Sequence, residues 1–195
     1  MACTALTKGR GLDCNRVSGG VKFIYFGVYD QFDAPIDGTG ILVVNSEITD
    51  IEMGAGKGLY RYTVPRGSTT VNETITGSTE NGTLFYTPTV NMILNRLTKE
   101  DQNEIKLLGQ TQVVCFAQLN ATLANGHDVI VGLGVTNGMS LNAGTADSGA
   151  GFGDRNGYTL TFDGLEADPF PMVADYTTVP FDNAAFDIPL GIVTS

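Results

Sequence analysis

The chain has no tryptophan, one histidine, three cysteines, and only 11 lysines and arginines against 21 aspartates and glutamates. Each scarcity excludes something. A net charge of -10 argues against a protein that grips nucleic acid by its phosphates, because that mode needs clustered Lys and Arg. An odd cysteine count without CxxC spacing points away from a disulfide framework and a zinc ribbon, and agrees with a reducing compartment. Cys115 reads as a small core residue, and the spacing of Cys3 and Cys14 fits no metal motif. No apolar run approaches the roughly 20 residues that cross a bilayer. The stretch Met1–Thr7 also lacks a basic segment followed by an apolar one, so the expectation is a protein made and used without membrane passage.

What is present points to β structure. With 195 residues the chain is long enough to bury roughly 70% of the surface its unfolded form exposes. Its 25 glycines and low charged fraction indicate many turns between strands. The stretch Leu84–Phe162 organises the rest. Leu84–Leu94 is dense in β-branched and aromatic residues and reads as a strand, with Pro88 placed at an edge, a bulge or a parting of sheets. Residues 98–108 form the one convincing helix: Thr98 caps it, Glu100 and Asp101 suit its positive end, and Gly109 is expected to stop it in the left-handed conformation. Leu97, Ile105 and Leu108 recur on one stripe, so the helix is expected to lie on a sheet. Thr111–Leu119 and His127–Leu133 flank a hairpin turn at Ala124–Gly126. Residues 138–157 read as a long turn, followed by the clean alternation of Tyr158, Leu160 and Phe162.

The fold class expected is mainly β, an antiparallel β-sandwich or barrel with one flanking helix and a long β-ribbon. Residues 1–20, Gly-rich and carrying Lys8, Arg10 and Arg16, read as an N-terminal arm. Residues 21–173 read as one domain, and 174–195, within a proline-broken stretch that starts at Asp168, as an extended tail needing another surface to order it. The ribbon spans 54–93, with strands at Leu59–Val64 and Thr69–Thr76, a turn at Pro65–Gly67 and a two-residue hairpin centre at Asn81–Gly82. Its second face is polar and Thr-rich. Short ribbons are barely stable alone in water, so this one is expected to be covered by neighbouring copies. Tyr60, Tyr62, Thr70, Asn72, Phe85 and Tyr86, together with the terminal arms, are the candidate subunit-interface residues.

No catalytic constellation emerges. Gly54–Gly58 resembles a phosphate loop, but Gly58 stands where the Walker spacing needs Ser or Thr, and no helix follows. Gly149–Asp154 matches a dinucleotide loop only loosely and precedes a strand. His127 is the only base available to a serine or cysteine hydrolase, oriented by Asp128 or a distant carboxylate, and no nucleophile elbow accompanies it. Asp147, Asp154, Asp163 and Glu166 lack the alternating oxygen ligands of a calcium loop. Neither a metal nor a cofactor is expected.

The order of paired strands, ribbon, helix, two further strands and then Gly153-Asp154-Arg155-Asn156-Gly157-Tyr158-Thr159-Leu160-Thr161-Phe162 resembles the major tail-tube proteins of tailed bacteriophages. In that family a loop of the Asp-x-Asn-Gly-aromatic-Thr-Leu-Thr kind leads into one of the last strands. The resemblance covers roughly residues 21–173. It implies a non-enzymatic virion tail protein, assembled in the host cytoplasm, whose copies form stacked rings, usually hexameric. Its partners would be itself, other tail or head–tail virion proteins and passing double-stranded DNA held without specific binding. The alternatives are a capsid-decoration, head–tail completion or fibre-type β-sandwich binding module and, third, an acidic hydrolase.

Overall fold

In the computed structural model the described residues are 8–11, 17–32 and 40–194. Cys3 and Cys14 lie outside them. Two sheets face one another. The larger joins nine strands and is mostly antiparallel, and the smaller joins four.

The larger sheet is built on β1 (Val21–Val28), β7 (Val113–Thr122) and β8 (Asp128–Leu133), paired antiparallel in the order β8-β7-β1. These strands are almost continuously apolar because both of their faces are covered. Ile24, Phe26, Val113, Cys115 and Ala117 point into the core between the sheets. Tyr25, Val114 and Phe116 point into a second core on the opposite face, with Ile41, Ile48 and Ile51 from β2 (Ile41–Val44) and β3 (Glu47–Glu52). A single 3-10 turn, Tyr29–Gln31, ends β1. Beside β1 lies β4 (Leu59–Thr63), registered by Phe23 opposite Thr63 and Phe26 opposite Tyr60.

The smaller sheet runs β5-β6-β10-β9, from β5 (Thr70–Ser78), β6 (Thr83–Asn95), β9 (Ser140–Asp147) and β10 (Gly157–Asp163). Val90, Met92 and Leu94 of β6 and Tyr158, Leu160 and Phe162 of β10 supply its half of the central core. Gly157 has a steric reason: a Cβ there would stand 2.0 Å from the Leu94 carbonyl oxygen across the pair. The helix α1 (Lys99–Leu108) closes one end. The Thr98 hydroxyl oxygen accepts from the Asp101 amide at 3.0 Å and donates to the Asp101 carboxylate at 2.6 Å. Leu97, Ile105 and Leu108 pack against the core as their spacing predicts.

Four expectations need correction. The region 138–157 is not one long turn: β9 occupies Ser140–Asp147 and pairs along β10, leaving only 148–156 as loop. Gly109 ends the helix at φ -73°, in the right-handed region, with its amide bonded to Ile105. The Asn81–Gly82 hairpin is a four-residue turn, since Ser78 pairs with Thr83. Finally, the 54–93 ribbon divides: β4 leaves it to join the larger sheet, and only β5 and β6 form the hairpin.

The tail orders on the chain's own body. The strand β11 (Met172–Val173) pairs between β3 and β8, and Phe181 inserts into the second core, edge-on to Tyr25 and Phe116 at 5.1 and 5.3 Å between ring centroids. Farther on, β12 (Phe186–Asp187) and β13 (Ile192–Val193) add in parallel to β3 and β4 and form the two ends of the larger sheet.

Candidate functional site

The six candidate interface residues fall on two separate surfaces. Thr70, Asn72, Phe85 and Tyr86 lie on the β5–β6 hairpin, whereas Tyr60 and Tyr62 lie on β4.

On the hairpin, alternation assigns each residue a face. Thr70, Asn72, Thr74 and Thr76 stand opposite Asn91, Thr89, Thr87 and Phe85 on the outer face. That face continues across Thr161 and Thr159 of β10, where the Thr161 hydroxyl donates to Asn91 Oδ1 at 2.8 Å. It is neutral over most of its width, with Asp163 and Asp147 at opposite ends of the β9–β10 pair and Arg155 reaching Thr159 from the adjoining loop. None of the four strands contains a lysine or arginine.

The inner face behaves differently along its length. Val90, Met92 and Leu94 are buried, but the same face runs on through Tyr86 and Leu84 beyond the end of β10, with Ile75 paired to Tyr86. There the larger sheet no longer covers it: Ile75 is 65% and Leu84 57% exposed. Pro88 marks this parting. Its carbonyl accepts from Gly164 just past β10, the return bond to Gly164 is missing because proline has no amide hydrogen, and the pairing ends at Tyr86, which exchanges two 2.8 Å hydrogen bonds with Glu166. Glu73 also lies on this face and accepts from the Phe170 amide at 2.9 Å; burial raises its pKa against that bond. Both edges of the small sheet, β5 and β9, have no partner strand among the described residues.

Tyr60 and Tyr62 face α1 across a cleft of about 750 Å³, which Glu100, Asp101 and Glu104 line from the helix side. A further 390 Å³ extends it past Leu107 and Gln31. The Tyr62 ring packs edge-on to Phe26 at 5.3 Å, and its hydroxyl pKa is pushed up to about 12, by burial first and then by the Glu104 and Asp101 carboxylates.

The sites considered for chemistry resolve into local structure. The His127 ring nitrogen Nδ1 lies 2.7 Å from Asp175 Oδ1, and the ring stacks on Tyr176 at 4.4 Å and 10°. Asn125 and Asp175 are its hydrogen-bonding ring partners among the described residues, and the contact fastens the tail to the β7–β8 hairpin. No local signal exposes this pairing, since Asp175 lies 48 residues away. Asp154 Oδ2 accepts from the amides of Ala150 and Gly151, a turn closed on itself, and those bonds hold its carboxyl below the usual range. Asp147 accepts from Gly149 in the same 148–156 loop, whereas Asp163 accepts from Asn142 across the β9–β10 pair and Glu166 from the Asn137 amide. Among the described residues no group of three or more His, Cys, Asp or Glu is placed to hold a metal ion. The Gly54–Gly58 loop leads into β4, with the Lys57 carbonyl accepting from Leu190. Burial pushes the Cys115 thiol pKa up. No helix among the described residues is long and apolar enough to cross a membrane.

Set beside family models, characterised proteins and solved structures, the chain matches none of them.

Proposed function

We propose that the chain is a structural virion protein without enzymatic activity, a phage tail-tube or tube-like ring subunit whose copies surround a passage for double-stranded DNA. The observation that carries this reading is the overhanging end of the β5–β6 hairpin. Its core-facing stripe continues through Tyr86, Ile75 and Leu84 past the sheet that would cover it. A ribbon that exposes an apolar stripe beside a free edge is an aggregation liability unless a defined partner covers it.

The small sheet supports closure into a ring. Four strands alternate in direction from β5 to β9, so the two open edges run antiparallel to one another. A head-to-tail contact that sets β9 of one copy beside β5 of the next then continues an antiparallel ladder, and rotation closes it. The Thr- and Asn-rich outer face becomes the lining. Strands that carry no cation offer a passing phosphate backbone nothing to release counterions against. The lining so formed is mostly polar and uncharged over most of its width, with Asp147, Asp163 and Arg155 towards its ends.

Negative-stain images of the purified protein at high concentration test the reading. Stacked rings or tubes with a lumen wide enough for duplex DNA are expected; a persistent monomer or compact trimer overturns it. The latter outcome would favour the second reading, a decoration, head–tail completion or fibre-type binding module. Phe152 supports that reading, standing fully exposed on the ordered loop between β9 and β10.

A further inference from the structure

The cleft between α1 and β4 has the chemistry of a receptor for a cationic extended segment. Two tyrosines form one wall and Glu100, Asp101 and Glu104 the other. Glu104 has no ion pair among the described residues, Glu100 has only an exposed contact to Lys99 at 3.4 Å, and Asp101 is bonded to Thr98. Arg61, the cation among the lining residues, turns its guanidinium over the Phe23 ring at 4.9 Å. Aromatic faces beside unpaired carboxylates attract guanidinium and ammonium groups through ring quadrupole and charge together.

The chain itself contains a segment of the matching chemistry. Residues 1–20 hold Lys8, Arg10 and Arg16 against one carboxylate, Asp13. Against the net charge of -10, this makes the segment +2 and leaves -12 on the remaining residues. The segment leaves the body at Gly19 and Gly20, whose carbonyls accept from Asn120. That is the end of β1 where Phe23 meets Thr63, beside the Thr63–Pro65 mouth of the cleft. Lys8 and Arg10 are exposed and make no ion pair among the described residues, so they do not fill their own cleft.

We infer that the α1–β4 cleft binds the Lys8–Arg16 segment of a second copy of this chain. This deepens the assembly reading by naming a receptor and its occupant, and it is tested on dispersed chains so that either can fail alone. The test titrates a fluorescent Met1–Gly20 peptide into full-length chain carrying Lys8→Glu, Arg10→Glu and Arg16→Glu, whose clefts are free of native arms. Saturable binding is expected, weakened roughly tenfold or more by added Glu100→Lys and Glu104→Lys, and weakened by salt as screened charge pairs are. A peptide with its three cations reversed should bind the Glu100→Lys, Glu104→Lys chain instead. Both helix positions are exposed, and circular dichroism checks that the variants stay folded. Unchanged affinity in the reversed cleft overturns the inference, as does equal binding of a scrambled peptide, which would make the cleft a receptor for cationic peptides at large. A monomeric wild-type chain that refuses the peptide while the arm-reversed chain accepts it would assign the cleft to the chain's own arm and overturn the second-copy assignment.

Discussion

The two sheets of this molecule are finished to different degrees. The larger one carries apolar residues to a core on each face, and two-residue strands from the tail form both of its ends. Short terminal strands and covered faces leave little for another chain to pair with. The smaller sheet has one covered face, two long edges without a partner strand among the described residues, and a hairpin whose core-facing stripe outruns the core. On the proposed assembly, the contrast would separate what the chain completes by itself from what it leaves to neighbouring copies. Breaking the first should unfold the protein, and breaking the second should leave a folded protein that no longer assembles.

The largest effect is expected at Phe181. This ring joins the tail to the larger sheet through edge contacts to Tyr25 and Phe116, and it is 7% exposed. Phe181→Ala should cost about 3–5 kcal/mol in denaturant unfolding, as buried Phe truncations do. A loss under about 1 kcal/mol, within the range of surface changes, would mean that the tail is not part of the larger sheet's fold. On the smaller sheet, Ile75→Asp with Leu84→Asp should shift the unfolding midpoint by no more than about 0.5 kcal/mol, because both side chains are mostly exposed. Sedimentation should nevertheless show assembly abolished. Assembly at wild-type concentration would remove the overhang from the interface.

The sequence made the strands of the central core legible where residue chemistry is local. The alternation of Tyr158, Leu160 and Phe162 predicts a half-buried strand, and β10 is one. The Thr98 cap and the 97–105–108 stripe likewise place the helix. By contrast, β9 escaped because Asn142, Ala143, Gly144, Thr145 and Ala146 are mostly small residues of low strand propensity, held in a ladder by β10 rather than by their own preference. Tyr60 and Tyr62 separated from the ribbon because neighbouring strands in sequence usually pair, whereas β4 crosses to β1. The tail was hidden for a similar reason. Pro180 and Pro189 do break long elements, but two-residue parallel strands are specified by edges more than a hundred residues away. Of the candidate site, the polar hairpin face was readable in the Thr pattern, while the cleft beside α1 exists only after the two sheets have met.

Acid should loosen the larger sheet's tail before its core. Asp182 accepts from the amides of Thr177, Thr178 and Val179 at 2.6–3.0 Å. Desolvation pushes its carboxyl up, but those amides and the Thr177 hydroxyl outweigh it and bring the pKa down to about 2 from an ordinary 3.8. A folded pKa below the unfolded one means stabilisation that is complete above about 3.8 and lost as pH falls towards about 2. Pepsin cleavage around Phe181 should therefore rise across that window in the wild type. In Asp182→Asn, which has lost the charge, cleavage should already be higher at the top of the window and nearly flat within it. Parallel curves for the two proteins would count against Asp182 as the latch.

The smallest effect tests the inner face of the smaller sheet, where Glu73 sits on the stripe that otherwise carries Val71 and Ile75. Burial raises its pKa, and the Phe170 amide only partly offsets this. A folded pKa above the unfolded one carries the opposite sign to that of Asp182: stability is greatest with the acid protonated and declines as pH rises through the folded value. Glu73→Gln keeps an acceptor for Phe170 and removes the charge. The variant should match the wild type in thermal unfolding near pH 4 and exceed it at pH 7, by about 0.5 kcal/mol or less. An equal difference at both pH values would trace the gain to packing instead of charge. A loss at pH 7 would show that the carboxylate's bond to Phe170 outweighs its desolvation. In that case the overhang is anchored to the 168–171 segment by charge, and is less ready to meet a neighbour than its exposed Ile75 and Leu84 indicate.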